Sequence, residues 1–208
     1  MSDGVITRID ILRHGLPDGD GCLRGHTDFA ITEKGLSQMS LAVKGLDDVE
    51  QVVTSPLARC RVFAEQYADN LSLPVQAQEQ WQELNFGQWD GQDKNVLWQK
   101  HADSLTKYWE NPWLTTPHGG EKLVDFDTRI QKAWQVLLEQ FHGQRILLVT
   151  HSGVMKQLMR QLLAMPKDAA YLQCVDLPYA ARYRVTVYTD EQGKHWHRMQ
   201  WPVEQRFQ

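Results

Sequence analysis

Short apolar runs separated by amphipathic stretches set the frame of this 208-residue chain. Val5, Ile6, Ile9, Ile11 and Leu12 suit a strand buried near the middle of a sheet, and the run ends abruptly at Arg13, His14 and Gly15, where the glycine is expected to let the chain turn. Thr32 and Glu33, followed by Leu36, Met39, Leu41 and Val43 at roughly helical spacing, predict a capped amphipathic helix. Val49 to Val53 reads as a second strand, and T-S-P-L-A-R-C follows at once, with Ser55 expected as N-cap, Pro56 as first helical residue and Arg59 in the opening turn. A long helix is predicted from about Glu121 to Phe141, with Leu123, Phe126, Ile130, Trp134, Leu137 and Leu138 along one face. R-I-L-L-V-T is an almost wholly apolar strand that ends at His151 and passes into the helix V-M-K-Q-L-M-R-Q-L-L, which Pro166 stops. The closing A-R-Y-R-V-T-V-Y, D-E-Q-G-K and H-W-H-R-M-Q-W predict a hairpin.

Strands alternating with helices predict an α/β chain: a three-layer sandwich with a mostly parallel central sheet and helices on both faces. One stretch interrupts the alternation. Five of the eight tryptophans fall between Trp81 and Trp113, a density expected of a packed cap with its own small core and only secondarily of an aromatic pocket. The expected organisation is one domain over residues 1–208 carrying an inserted aromatic-rich helical lid at about 86–120, which the connector T-T-P-H-G-G closes.

Composition narrows the partners. A net charge of −4 with no Lys/Arg cluster speaks against nucleic acid, so an anionic ligand has to be handled by a few local residues. Cys22, Cys60 and Cys174 are odd in number and widely spaced, which fits neither a disulfide framework nor a zinc knuckle. No apolar signal region opens the chain and no run approaches a membrane span, so a cytoplasmic protein without a membrane partner is expected.

The candidate chemistry lies at the strand ends. R-H-G, T-S-P-L-A-R and T-H-S each follow a predicted strand, and parallel strands bring such ends to one crevice. Arg59 in a first helical turn leans back toward the strand end, and the helix starting at Ser152 offers free backbone N–H groups beside His151. Arg24, Gly25 and His26 sit in a glycine-rich loop that is expected to pass over the same point. Two arginines, two histidines and two helix starts form a site for a tetrahedral oxyanion, with phosphate the obvious candidate. A metal site would need carboxylates or thiolates beside these histidines, and no such residues neighbour them in sequence, so neither metal nor cofactor is expected.

R-H-G at 13–15, R-G-H-T-D at 24–28, S-P-L-A-R at 55–59, E-L-N-F-G-Q-W-D-G at 83–91, G-G-E at 119–121 and T-H-S-G at 150–153 resemble, in order, the motifs of the histidine phosphatase superfamily in its phosphoglycerate-mutase-like branch. The resemblance implies that His14 takes the phosphoryl group as phosphohistidine and that Arg13, Arg59 and His151 hold its oxygens. It further implies that Glu83 protonates the leaving oxygen and later activates water, and that Arg24, Gly25 and Ser152 join in binding a small phosphate ester. Two positions depart from the pattern: Leu16 stands where relatives carry Glu, and Lys122 stands where they carry a Ser able to cap the long helix.

Within the family the wording is most similar to the alpha-ribazole phosphatase group, which implies hydrolysis of a 5'-phosphate in cobalamin assembly. A phosphoglycerate mutase and a broad-specificity sugar or nucleotide phosphatase stand beside it. Outside enzymes, a non-catalytic phospholigand-binding domain would use the same fold. Mutases of the family tend to be longer and to bring a tail over the site. This chain is short, acidic and ends in W-P-V-E-Q-R-F-Q with no obvious closing tail, which favours hydrolysis.

Overall fold

In the computed structural model, which describes residues 4–201, six strands form one sheet: β1 (Val5–Arg13), β2 (Gln51–Thr54), β3 (Val75–Ala77), β4 (Arg145–Thr150), β5 (Arg182–Thr189) and β6 (His195–Gln200). Their order is β3-β2-β4-β1-β5-β6. β3, β2, β4 and β1 run parallel, whereas β5 and β6 add antiparallel neighbours at one side. The expected mostly parallel α/β sheet is therefore present, with the closing hairpin completing it. The tail expectation concerns residues 202–208, which lie outside the described residues. Among the described residues no helix is long and apolar enough to cross a membrane.

Among the described residues six α-helices accompany the sheet: α1 (Glu33–Ala42), α2 (Ala58–Leu71), α3 (Lys94–Glu110), α4 (Leu123–Gln140), α5 (Ser152–Leu162) and α6 (Ala170–Cys174). Because strand side chains alternate between faces, neighbouring residues go to opposite layers. Ile9, Ile11, Val53, Ile146 and Leu148 pack with the apolar sides of α3, α4 and α5. Leu12, Val52, Leu147 and Val149 pack with Met39 of α1 and with Cys60, Phe63 and Ala64 of α2. Each fully buried aliphatic side chain of these layers contributes about 1.5–3 kcal/mol relative to exposure.

Two residues of the apolar pattern do not join the core. Ile6 is 58% exposed at the start of β1, where its cross-strand partner Tyr188 is exposed as well, and Leu41 is 64% exposed on the outer side of α1. The expected separate core of the tryptophan-rich segment is not present either. Trp81 and Trp89, in short 3-10 turns at Glu79–Trp81 and Gly87–Trp89, share one apolar cluster with Leu97, Leu105 and Tyr108 of α3 and with α4 and α5. α3 itself is broken at His101, whose backbone leaves the helical region at φ −135° and ψ 28°. Lys122, the N-cap of α4, makes no side-chain capping bond, as its lack of a hydroxyl predicts.

Gly15 takes no positive φ. Its requirement is space: a Cβ there would lie 2.1 Å from the carbonyl oxygen of Gly35, because α1 starts directly against the turn after β1. Thr32 caps α1 by accepting from the Gly35 N–H, and it donates to the Leu16 carbonyl at 2.7 Å. Leu16 thus serves to seat the first helix on the loop.

Candidate active site

β1, β4 and β2 are adjacent and parallel, with Arg13 level with Thr150 and Thr54 level with Val149, so their carboxyl ends form one rim. The ladder continues one residue past each end. The His14 N–H donates to the Thr150 carbonyl at 2.9 Å and the Ser55 N–H to the Val149 carbonyl at 3.0 Å. These bonds fix the backbones from which the polar side chains project.

His14 is 4% exposed, and its Nδ1 lies 2.8 Å from the Gly15 carbonyl oxygen. A carbonyl only accepts, so Nδ1 carries the hydrogen and Nε2 keeps its lone pair. Burial, then the positive charges of Arg59 and Arg13, hold its pKa well below the ordinary histidine value of 6.5. Its ring stands 5.3 Å from that of His151, centroid to centroid. His151 is fully buried, and its pKa too lies well below 6.5, chiefly through burial and Arg59.

Arg59 is fully buried, with Nη1 donating to the Thr27 carbonyl at 3.0 Å and Nη2 to the Gly25 carbonyl at 2.6 Å. Arg13 donates to the Leu177 carbonyl and lies 4.4 Å over the Tyr179 ring. The Nε atoms of both arginines are buried without a partner. Burial lowers the pKa of each guanidinium, so a bound anion would relieve both an unmade hydrogen bond and an uncompensated charge. Arg24 is tethered to the Gly19 carbonyl and the Tyr179 hydroxyl.

Glu83, 8% exposed, points at the start of α5: Oε2 accepts from the Gly153 N–H at 2.9 Å and Oε1 from the Leu84 N–H at 3.0 Å. A Cβ on Gly153 would lie 2.2 Å from Glu83 Oε1, so glycine is what lets the carboxyl approach the helix. Arg13, His14, Arg24, Glu83, Ser152 and Lys156 line one cavity of about 350 Å³. Arg59, His151 and Gly25 are not among the residues that line it. A larger open cavity of about 630 Å³ lies between the Glu79–Trp81 turn and α4, but neither histidine borders it.

Several residues that sequence reasoning left without a site role hold this arrangement. Ser55 does not cap α2. The helix begins at Ala58, whose N–H donates to the Asp28 carboxylate at 2.6 Å, and Ser55 Oγ, fully buried, lies 2.8 Å from His151 Nε2. The cap comes from the R-G-H-T-D loop, while Ser55 Oγ sits against the histidine and accepts from the Leu57 N–H at 3.4 Å. Asp90, inside the W-D-G motif, accepts from the backbone N–H groups of Gly25, His26 and Thr27. Burial works against its charge, but the bonds from Thr27, His26 and Gly25 together outweigh that and hold its carboxyl below the ordinary range. Arg129 of α4 pairs with Glu121 at 2.8 Å and donates to the carbonyls of Gln80, Gln82 and Glu83, clamping the Glu83 loop from beneath. Among the described residues no three His, Cys, Asp or Glu side chains gather as a metal site requires. His195 and His197 face one side of the hairpin, with His197 accepting from Trp134 Nε1 at 3.3 Å.

The model of the histidine phosphatase superfamily (branch 1) matches residues 9–201. An adenosylcobalamin/alpha-ribazole phosphatase of Escherichia coli (strain K12) is 31% identical over 174 residues, covering 81% of this chain and 85% of that protein. The crystal structure of the alpha-ribazole phosphatase from Shigella flexneri superposes with a TM-score of 0.78 at 25% identity, over 93% of this chain and 94% of the other. Bacillus stearothermophilus YhfR shares the fold with a TM-score of 0.81 at 24% identity, over 95% and 98% of the two chains. The rim of paired histidines and buried arginines sits on a chain that belongs to the histidine phosphatase superfamily, branch 1, and is an enzyme of the phosphatase class.

Proposed function

We propose that the chain hydrolyses a small phosphate ester through a phosphohistidine on His14. The observation that carries this is the pinning of His14 Nδ1 on the Gly15 carbonyl, which leaves a neutral Nε2 beside two arginines with unpartnered Nε atoms. Nε2 attacks phosphorus in line with the ester oxygen. Arg13, Arg59 and His151 hold the non-bridging oxygens, and the N–H groups at the start of α5, with Ser152, face the same charge. Glu83 gives its proton to the departing alkoxide, so the P–O bond breaks to yield neutral alcohol. As carboxylate it then takes a proton from water while the water oxygen attacks the phosphohistidine. Phosphate leaves and His14 returns neutral. Arg24 and Gly25 bind the substrate from the loop, and residues of about 86–120 act as the lid within a single domain.

For the substrate we propose alpha-ribazole 5'-phosphate, encountered in the cytoplasm. Two observations support it: the 31% identity to an adenosylcobalamin/alpha-ribazole phosphatase, and the apolar side of the cavity, where Phe86, Trp109 and Phe126 offer flat surface to a ring-bearing alcohol. The test is a comparison of kcat/KM for alpha-ribazole 5'-phosphate, 3-phosphoglycerate and simple sugar phosphates, read as released phosphate. The ring-bearing ester is expected to lead by about tenfold or more. Preference for phosphoglycerate, or mutase turnover above hydrolysis, overturns the substrate and leaves the catalytic residues standing.

A further inference from the structure

The structure separates the work of the five clustered tryptophans. Trp81 and Trp89 are core residues and Trp98 is 46% exposed on the outside of α3. Trp113 lies over Arg160 and Lys167, its indole N–H donating to the Asp168 carbonyl at 3.0 Å. Of the five, Trp109 alone lines the catalytic cavity. It also lines a second cavity of about 250 Å³ beside α3, together with Leu97, Trp98 and Leu105. Leu23, Lys94 and Trp109 border both spaces and therefore stand between them.

This second chamber is apolar. Lys94 is the one charged residue on its wall, and it holds neither of the histidines nor Glu83. It contributes space and no reacting group. Trp109 is the largest of the three shared residues, with one contact on its ring and one on its backbone. Its ring meets Tyr108 edge-on at 5.0 Å, and its carbonyl accepts from the Gln173 amide. The indole borders both the apolar volume of about 250 Å³ and the catalytic cavity of about 350 Å³.

We propose that Trp109 is the partition that sets how far the leaving group of the ester extends, so that the enzyme takes compact alcohols ending against the indole and rejects longer apolar ones. This rests on the reading of the 350 Å³ cavity as the phosphomonoester site. An apolar pocket discriminates by about tenfold or more for each methylene it does or does not accommodate, so a wall in this place leaves a sharp signature in a chain-length series. Removing the indole joins the two chambers and moves the limit outward.

The experiment measures kcat/KM for straight-chain alkyl monophosphates from ethyl to decyl, in the wild type, Trp109→Ala, Trp109→Leu and Trp98→Ala. In the wild type the profile is expected to rise and then fall steeply. Both Trp109 variants shift the fall to longer chains and raise the ratio of long-chain to short-chain kcat/KM by about tenfold or more. Trp98→Ala, outside the catalytic cavity, keeps the wild-type profile. The ratio within each variant cancels any uniform loss from weakened folding, and the leucine retains apolar packing where alanine leaves a hole. A length profile identical in the wild type and both Trp109 variants overturns the partition while the hydrolase reading stands. A wild type that releases phosphate from none of the esters overturns the hydrolase reading, and the partition with it.

Discussion

Ser55 and His151 are 96 positions apart in the chain and 2.8 Å apart in the site. Asp28 supplies the cap of α2, while the Ser55 hydroxyl meets His151 and also accepts from the Leu57 N–H at 3.4 Å. Ser55→Ala removes the oxygen partner of a buried imidazole, leaving it the Cys60 thiol at 3.6–3.8 Å, at a cost of about 1–3 kcal/mol, and on the proposed mechanism a displaced His151 no longer meets the phosphoryl oxygen. The variant is expected to fold, to lose about tenfold or more in kcat, and to change KM less; steady-state kinetics beside a thermal melt decide it. Wild-type kcat in Ser55→Ala would remove the serine from the account. Legibility at this scale follows contact range. Arg13, His14, Arg59 and His151 stand in short motifs next to the strands that present them, so their meeting could be read from the chain. Ser55, Asp90 and Tyr179 act on partners far off in sequence, and only the packed fold reveals them.

At the scale of elements, the Glu83 loop lies between two helices. α5 supplies the Gly153 N–H in front, while α4 supplies Arg129, which ties the Gln80, Gln82 and Glu83 carbonyls from behind and is itself held by Glu121. On the proposal that Glu83 is the proton donor, Arg129 is a positioning residue for it. Arg129→Met is expected to slow an alkyl phosphate by about tenfold or more and to affect p-nitrophenyl phosphate far less, because a stable phenolate leaves with little help from a proton donor. Equal losses on both esters would mean a general structural defect and contradict the assignment. The long elements were legible because their apolar residues keep a strict period: eight positions of α4 are buried, including all six expected. β3 has three residues and α6 five, too short to show a period, and the break at His101 carries no proline or glycine to announce it.

For the molecule as a whole, sheet order decides where chemistry occurs. β4 lies between β2 and β1, so strands that end at residues 13, 54 and 150 finish on one rim. Burying two neutral histidines there has a consequence for stability. The folded pKa values of His14 and His151 lie well below 6.5, so as pH falls past 6.5 the unfolded chain binds protons that the folded chain refuses. Their contribution is complete above that range and declines below it, by about 1.4 kcal/mol per pH unit for each histidine until the folded pKa is reached. The urea midpoint is expected to drop between pH 7 and pH 5.5, and less so in His14→Gln; a midpoint flat over that interval would contradict the buried neutral pair.

The central claim is that phosphorus passes through His14. It is tested most directly by incubating the enzyme with a radiolabelled phosphate ester, quenching in base and mapping the label. The account predicts an acid-labile, base-stable phosphohistidine on the peptide that contains His14, absent from His14→Ala, which also loses turnover. Label on a serine or carboxylate, or normal turnover in His14→Ala, would contradict it.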